Sequence, residues 1–467
     1  MQAALNVIEA KAHYDAPEMA THIRVARNDE KLYLDLVDPA WRAIEVDEKG
    51  WRIVEKAPVR FRRAAGMQSL PEPKKGGLVS MLRDFLNVSN DNEFVLVVAW
   101  ALAVLRDKGP YPVLVLSGEQ GSAKSTFSAI LRALLDPNSA PLRALPRENR
   151  DLFIAATNGH VLTFDNVSHL QPWISDTLCR LSTGGGFAVR QHYTDQDEVL
   201  FEADRPIVLN GIEDIVTRQD LADRAIFLTL ESIPERARKP ERKLWEDFEK
   251  ARPKILGALL DAVSTGLRRL PDTELEQLPR MADFALWATA CEPGYAEQGA
   301  FWAAYAGNRD AAVESAIEAD VVSSAILSLM ASKTEWTGTS AELLEDLSVE
   351  VGDRINKTKN WPKSPRQLSG RVWRAASFLR RIGIECSFDK KRTIQITHTR
   401  PSTSPESNGV QPSPPPEQSN SQEEYIEVFA PNGEANLEVD GKGGVDPEFD
   451  FQSAPEKTEE KSWNARV

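Results

Sequence analysis

A ten-residue stretch, SGEQGSAKST at residues 117–126, contains the residue types that a phosphate-binding loop requires. Such a loop follows a buried strand and offers glycine N–H groups, a lysine, a hydroxyl for Mg²⁺ and a helix N-terminus that faces the anion. Lys124 is the candidate phosphate contact and Ser125 the candidate Mg²⁺ contact. The predicted nucleotide-binding residues are Gly118, Glu119, Gln120, Gly121, Ser122, Ala123, Lys124, Ser125 and Thr126.

Ala123 departs from the usual pattern, which has glycine directly before the lysine. We expect Ala123 to adopt right-handed helical dihedrals, which cost alanine nothing, because it stands at the start of a helix. The loop should then still bind a nucleotide. The alternative is an ordinary turn rich in serine and glycine before a helix, since short motifs have false positives.

Two polar residues at strand ends support the nucleotide hypothesis. Asp165 ends the apolar stretch HVLTFDN about 40 residues after Lys124, where a carboxylate would hold Mg²⁺ through water. Asn210 ends PIVLN, where an amide can orient the attacking water. Each alone could be a common turn residue, but the strand context and the spacing favour a metal-nucleotide site.

The hydrophobic pattern indicates which elements position these residues. From residue 112, short apolar strands (YPVLVLS, HVLTFDN, PIVLNG, AIFLTL) alternate with helical or loop segments, which is typical of an α/β fold with a P-loop NTPase core. Residues 22–63 alternate apolar with polar and indicate a small β module. The predicted domains are an N-terminal β-rich module at 1–66, a linker and helical collar at 67–110, the core at 111–235, a helical region at 236–319, a winged-helix domain at 320–399 and a disordered acidic tail at 400–467.

The charge is unevenly distributed along the chain. The net charge is −14, of which residues 401–467 contribute −10, in a segment with the composition of a disordered acidic tail. Residues 362–392 carry a local excess of +7. The chain has no 18-residue apolar run and no signal-peptide pattern, so we expect a cytoplasmic protein. Its three cysteines lie far apart, which predicts buried thiols and neither disulfides nor a zinc site.

Four segments in order, GEQGSAKS, LTFDN, STGGGFAVRQHYTDQDEVLFEADRPIVLN and DLADRAIFL, resemble the superfamily 3 helicase core of the AAA+ class. The resemblance is to phage- and plasmid-type primase-helicases related to the poxvirus enzymes, and it covers roughly residues 110–231. It implies ATP and Mg²⁺ as cofactors, with Ser125 and Asp165 holding the metal, in a ring that is a homo-hexamer. The implied catalytic residues are Lys124, Asp165, Asn166, Asn210 and Arg224.

Two of these residues have open alternatives. The family usually has a second acidic residue where Asn166 stands, and asparagine can position a water but cannot accept its proton. Hydrolysis is then slow, or another carboxylate such as Glu119 or Asp176 contributes. Arg224 matches the arginine finger that reaches the γ-phosphate of a neighbouring subunit. Its alternative is a salt bridge with Asp220 or Asp223.

Two basic regions are candidate DNA contacts. FAVRQHY and EVLFEA indicate a hairpin, and in the helicases that the chain resembles such hairpins hold single-stranded DNA in the ring channel. A basic C-terminal helix and the tip of a predicted wing are the second region. The alternative for both is a solvated surface. The predicted nucleic-acid-binding residues are Arg190, His192, Tyr193, Arg366, Arg371, Arg374, Lys390, Lys391 and Arg392.

The sequence thus predicts an ATP-dependent DNA helicase or translocase that acts as a ring oligomer on single-stranded or origin DNA. It would serve replication of a phage, prophage or plasmid-like element, with a separately encoded primase-polymerase as a further partner and no membrane association. The alternatives are a non-motor, ATP-switched DNA-binding protein with slow hydrolysis, such as a loader, regulator or defence component, and a degenerate ATPase scaffold.

Overall fold

A computed structural model describes residues 2–190, 198–212, 215–216, 218–358, 360–389 and 393–398. These residues belong to one compact unit, Met1–Thr403. The second unit, Ser404–Val467, lies outside the described residues, as does the whole predicted acidic tail at 400–467. The predicted α/β class is confirmed, since the chain combines helices with a parallel sheet. The domain boundaries, the winged-helix interpretation and the acidic tail stay predictions.

The N-terminal segment forms an antiparallel sheet, as its alternating pattern indicates. Its strand order is β2 (Val25–Asn28), β3 (Lys31–Asp35), β4 (Ala43–Asp47) and β5 (Gly50–Val54). The strands β1 (Thr21–His22) and β6 (Arg60–Phe61) form a separate parallel pair. A preceding exposed helix, α1 (Gln2–Tyr14), was not predicted.

A four-stranded parallel sheet forms the centre of the chain. Its order is β12 (Ala225–Thr229), β7 (Val113–Ser117), β11 (Ile207–Asn210) and β8 (Leu162–Phe164). Parallel pairing places the carboxyl ends of all four strands at the same edge. The helices of this region are α3 (Lys124–Leu135), α4 (Asn149–Asn158), α5 (Pro172–Thr183) and α6 (Gln219–Ala222). The strands β9 (Gly185–Arg190) and β10 (Glu198–Ala203) pair antiparallel, as predicted for a hairpin.

Helices flank this sheet and share its core. A 3-10 helix, Val79–Phe85, leads into α2 (Asp91–Val104), whose N-cap is Asn90. Helix α2 is apolar on all sides and almost wholly buried, as expected for a helix enclosed by other elements. It packs with α7 (Glu241–Arg269), α8 (Ala282–Cys291) and α9 (Ala300–Ala319), and the same core includes side chains of the N-terminal sheet.

The C-terminal segment has a core of its own. Its helices are α10 (Val321–Ala331), α11 (Ser340–Asn356) and α12 (Pro365–Arg381), and its sheet has the order β13 (Glu335–Thr339), β15 (Thr393–His398) and β14 (Ile384–Phe388). Thr339 and Glu342 form a capping box that starts α11. All three cysteines of the chain are buried, as predicted.

A buried ionic cluster links the N-terminal sheet to the end of α3. Asp136 pairs with Arg24 and with Arg132, each at 2.9 Å, and accepts hydrogen bonds from the backbone N–H groups of His160 and Val161. Burial alone would raise the pKa of Asp136, but the two guanidinium groups outweigh it and hold that pKa well below its usual range. The carboxylate therefore stays ionised in the folded chain.

Acid should destabilise the fold through His160. Burial lowers the pKa of His160 from 6.5 to about 4, although Asp136 opposes this shift. The folded state therefore holds a neutral imidazole, whereas the unfolded chain binds a proton near pH 6.5. The stability contribution is present above pH 6.5 and is lost as pH falls towards 4, by about 3 kcal/mol. Urea unfolding of wild type and His160→Gln between pH 7 and 4 checks this: the variant should lose less stability, and parallel losses would contradict the assignment.

Candidate nucleotide site

The predicted loop lies between the buried strand β7 and the helix α3. Gly118 has a φ of 145°, and a Cβ added there would lie 2.4 Å from the carbonyl oxygen of Leu230, so no side chain fits. Gly121 has a φ of 90°, in the region that glycine adopts without strain. Both positions therefore favour glycine because of their backbone geometry, and phosphate binding by their N–H groups stays a prediction.

The expectation for Ala123 is wrong. Its dihedrals are φ 61° and ψ 29°, in the left-handed region, although its carbonyl oxygen already accepts the N–H of Phe127 at 2.8 Å and closes the first turn of α3. The chain needs this reversal to pass from the loop into the helix, which explains why glycine is usual here. A left-handed residue with a Cβ costs about 1–2 kcal/mol, so this loop is strained.

Replacing Ala123 with glycine should therefore stabilise the chain. Relief of the left-handed strain exceeds the entropy that glycine loses on folding, and we expect a gain of up to about 1 kcal/mol in the free energy of unfolding. Urea unfolding measures it. The matched control is Ala129→Gly within α3, which should lose about 1 kcal/mol. A loss of stability for Ala123→Gly as large as that of the control would contradict the dihedral assignment.

Lys124 is held over the loop. Its Nζ donates to the carbonyl oxygens of Gly118, at 2.7 Å, and Glu119, at 2.8 Å, and to Ser122 Oγ at 3.3 Å. Burial lowers the pKa of Lys124, and the carboxylate of Asp165 opposes this. The ammonium group thus lies at the loop that the sequence assigned to phosphate.

Three elements bring the other predicted core residues to the same sheet edge. Ser125, in α3, donates its hydroxyl to Asp165 Oδ1 at 2.8 Å, and Asp165 follows the end of β8. Asn210, the last residue of β11, is buried; its Nδ2 donates to Ser128 Oγ and its Oδ1 accepts the backbone N–H of Asn166, both at 3.0 Å. The structure therefore joins side chains that lie up to 82 positions apart in the sequence.

The backbone gives a reason for asparagine at position 166. Asn166 has a φ of 55°, in the left-handed region that asparagine tolerates better than most residues. Its side chain is exposed beside Asp165. Conformation therefore favours Asn166 here, whatever part its amide takes in chemistry.

Arg224 lies away from the loop of its own chain. It immediately precedes β12, and its carbonyl oxygen accepts the N–H of Val113 at the start of β7. The loop leaves the other end of β7, a strand of five residues that spans about 16 Å. The guanidinium of Arg224 forms a salt bridge with Asp220, one of the two acidic partners expected if Arg224 is not an arginine finger. Arg280 also pairs with Asp220, at 2.8 Å.

One contributor to the loop was missed. Asn87, in the segment between the 3-10 helix and α2, donates from Nδ2 to the carbonyl oxygens of Ser122 at 3.0 Å and Glu231 at 2.7 Å. Asn87 thereby links the loop to the segment after β12. A second link is the N–H of Ile233, in that segment, which donates to the Gly121 carbonyl at 3.2 Å. A single asparagine in a linker gives no sequence signal for this role.

The candidate DNA residues have different placements. Arg190 is the last residue of β9, and its backbone lies opposite that of Glu198 in β10. The other candidates in these two regions that lie outside the described residues are His192, Tyr193, Lys390, Lys391 and Arg392. Arg366 and Arg374 are exposed on α12. Arg371 on the same helix pairs with Asp320 at 2.6 Å and donates to the carbonyl of Asn360, so it has a structural role that the sequence did not indicate.

Within the described residues, no group of three or more His, Cys, Asp or Glu side chains is arranged to hold a metal ion. Over the same part of the chain, no helix has both the length and the apolar character needed to cross a membrane.

Several solved structures are similar to this chain at low sequence identity. The SCCmec type IV Cch active helicase is 11% identical with a TM-score of 0.44, and the match covers 85% of this chain and 82% of that one. The apo NrS-1 C-terminal region is 11% identical with a TM-score of 0.37, covering 77% and 95%. An inhibitor-bound JCV helicase is 14% identical with a TM-score of 0.25, covering 42% and 54%.

No curated protein matches the chain. The family described as the actinomycete integrative conjugative element replication protein matches residues 79–308, and the C-terminal domain of the same replication protein matches residues 322–413. Together the two regions span more than two thirds of the 467 residues. The chain therefore belongs to the family of replication proteins of actinomycete integrative conjugative elements.

Proposed function

We propose that this replication protein binds Mg²⁺-ATP at residues 117–126 and uses its hydrolysis to move on single-stranded DNA. The observation that carries the proposal is the convergence of Lys124, Ser125, Asp165 and Asn210 at one edge of the parallel sheet. The family supports a role in copying a mobile element, here an integrative conjugative one, a kind that the sequence analysis did not name.

The residues at this edge fit Mg²⁺ and a nucleotide phosphate. Mg²⁺ keeps several waters and takes few protein ligands, so the hydroxyl of Ser125 and the carboxylate of Asp165, 2.8 Å apart, suffice beside substrate phosphates. The glycine backbone of the loop and the N-terminus of the 12-residue helix α3 suit an anion. The metal would neutralise charge that develops on the phosphoryl group.

The roles of the protein side chains follow from their placement. Lys124 would exchange its contacts to the loop carbonyls for contacts to phosphate oxygens, which accept stronger, charge-assisted hydrogen bonds. Both ends of the Asn210 amide are hydrogen-bonded, so reorientation of this side chain would change its contacts with α3 and with Asn166. We assign it the role of sensing the phosphate and positioning water.

Arg224 supports a ring rather than a self-sufficient subunit. It lies at the sheet edge opposite its own loop, so we assign it to the nucleotide of a neighbouring copy, with Asp220 holding it until that neighbour binds. A head-to-tail arrangement of this kind closes into a ring when the rotation between subunits closes, and a closed ring is the form that we propose. The hexamer and the superfamily 3 relationship belong to the same proposal.

Mixing two inactive variants tests the shared site. Lys124→Ala lacks the phosphate contact but keeps Arg224, and Arg224→Ala has the reverse defect. Each alone should hydrolyse ATP near background, whereas an equimolar mixture should regain about a quarter of the wild-type rate, because one junction in four joins an intact site to an intact arginine. Arg242→Ala, at an exposed position on α7, is the matched control and should be fully active. Absence of recovery in the mixture would contradict a site shared between subunits.

A second function has one observation in its favour. Asn166 cannot accept a proton, so a non-motor ATP switch that controls assembly on DNA would suit slow hydrolysis. That function predicts ATP-dependent oligomers and a hydrolysis rate that DNA does not change. Strand displacement by the purified chain would exclude it.

A further inference from the structure

Helix α12 presents a large aromatic side chain to solvent. Trp373 is 70% exposed, on the opposite side from Leu368, Val372 and Leu379, which are buried in the C-terminal core. The small residues Gly370 and Ser377 precede and follow it on the same helix face. Because these neighbours are small, a ligand can reach the face of the indole ring along the helix axis as well as directly from solvent.

Basic side chains surround Trp373. Arg366 and Arg380 are seven residues before and after it, which places them on its face of α12, and Arg374 is adjacent. Within the described residues, neither Arg366 nor Arg374 pairs with an acidic side chain. Arg380 pairs with Glu385 at 3.5 Å, with both side chains about 60% exposed, so this pair is weak.

A cleft of about 860 Å³ adjoins this face, and Trp373, Arg374 and Arg380 line it. Three aspartates also line it, but each is already paired: Asp220 and Asp223 with Arg280, and Asp320 with Arg371. The acids are therefore neutralised while Arg374 is not, and the surface has an excess of positive charge. An anionic ligand with a flat apolar part complements such a surface.

We propose that Trp373 stacks on an unpaired base of single-stranded DNA whose backbone lies along Arg366, Arg374 and Arg380. An indole needs an open base face, which paired DNA does not offer in its interior, and arginines beside a stacking residue track the phosphates. Gly370 and Ser377 leave room for the strand to approach. This inference rests on the proposed function for its DNA partner and adds the residue that prefers unpaired strands.

The test is DNA binding by the full chain, measured as the fluorescence anisotropy of a labelled 30-nucleotide oligothymidine and of a duplex of equal length. Trp373→Ala should weaken single-strand binding about tenfold, while Trp373→Phe keeps most of the affinity. The slope of log affinity against log salt should not change in either variant, whereas Arg374→Gln should reduce it by about one. Trp41→Ala is the matched control, since Trp41 is 55% exposed but already stacks with Arg63.

Four DNA-binding results would overturn the inference: unchanged affinity of Trp373→Ala, an altered salt slope of that variant, an equal loss of its affinity for duplex DNA, or failure of the wild type to bind either the single strand or the duplex. A change in oligomeric mass of Trp373→Ala without DNA would also overturn it, because Trp373 would then contact a neighbouring subunit. Thermal melting checks that the variants are folded. The proposed ATPase activity would be contradicted separately: Lys124→Ala would hydrolyse ATP as fast as the wild type, while the Trp373 variants would still show the expected DNA binding.

Discussion

Lys124→Ala should lower the rate of ATP hydrolysis by about 10²–10³-fold, the usual cost of removing one donor that stabilises transition-state charge. The Nζ of Lys124 lies within 3 Å of two loop carbonyls and so at the loop for which we propose phosphate binding. Removing it takes away the positive charge that this chain supplies there in cis. Steady-state phosphate release measures the effect.

The control for this variant is Lys243→Ala. Lys243 is exposed on α7 and has no ion pair within the described residues, so its replacement tests loss of a lysine without loss of the site. Both variants should melt at the wild-type temperature within a few degrees. Equal ATP hydrolysis by wild type and Lys124→Ala would mean that any activity belongs to a contaminant or to another site.

Asp136→Asn should be the most destabilising single change considered, by about 3–5 kcal/mol, because it leaves Arg24 and Arg132 buried without a counter-charge. The amide also loses part of the hydrogen bonding to the N–H groups of His160 and Val161. Urea unfolding at pH 7.5 measures the change. The first sheet and α3 should lose stability together, since Arg24 links them.

The matched control is Glu246→Gln, which breaks the exposed pair with Arg242 on α7. An exposed pair of this spacing contributes about 0.3–0.5 kcal/mol, so this variant should unfold almost as the wild type does. If Asp136→Asn lowered the free energy of unfolding no more than Glu246→Gln does, the buried cluster would not stabilise the contact between the N-terminal sheet and α3.

Two residues of the candidate site, Asp165 and Asn210, could be found from sequence because each stands at a strand end. Asp165 and Asn210 follow short apolar runs, and parallel strands bring such ends to a single edge, so a pattern of strands alone indicates that they meet. Their hydrogen bonds to Ser125 and Ser128 depend on how α3 packs against the sheet. No local pattern contains that information.

The failures have physical causes outside local sequence. Ala123 was assigned helical dihedrals from its position before Lys124, but the route of the loop forces a left-handed residue there. In the sequence, Arg371 is one of several basic residues in a run, with nothing to distinguish it. Its ion pair with Asp320 joins positions that are 51 apart. Asn87 has no distinctive neighbours in sequence, and its two acceptors come from separate segments. In each case tertiary contacts decide the outcome.

The most direct test of the central claim is ATP hydrolysis by the full chain with and without single-stranded DNA, with Lys124→Ala measured in parallel. We predict that the DNA increases the rate and that both the basal and the stimulated activity vanish in the lysine variant, because one site couples the nucleotide to DNA movement. A rate that DNA leaves unchanged, or hydrolysis at background in the wild type, would contradict the motor and favour the ATP switch or a scaffold.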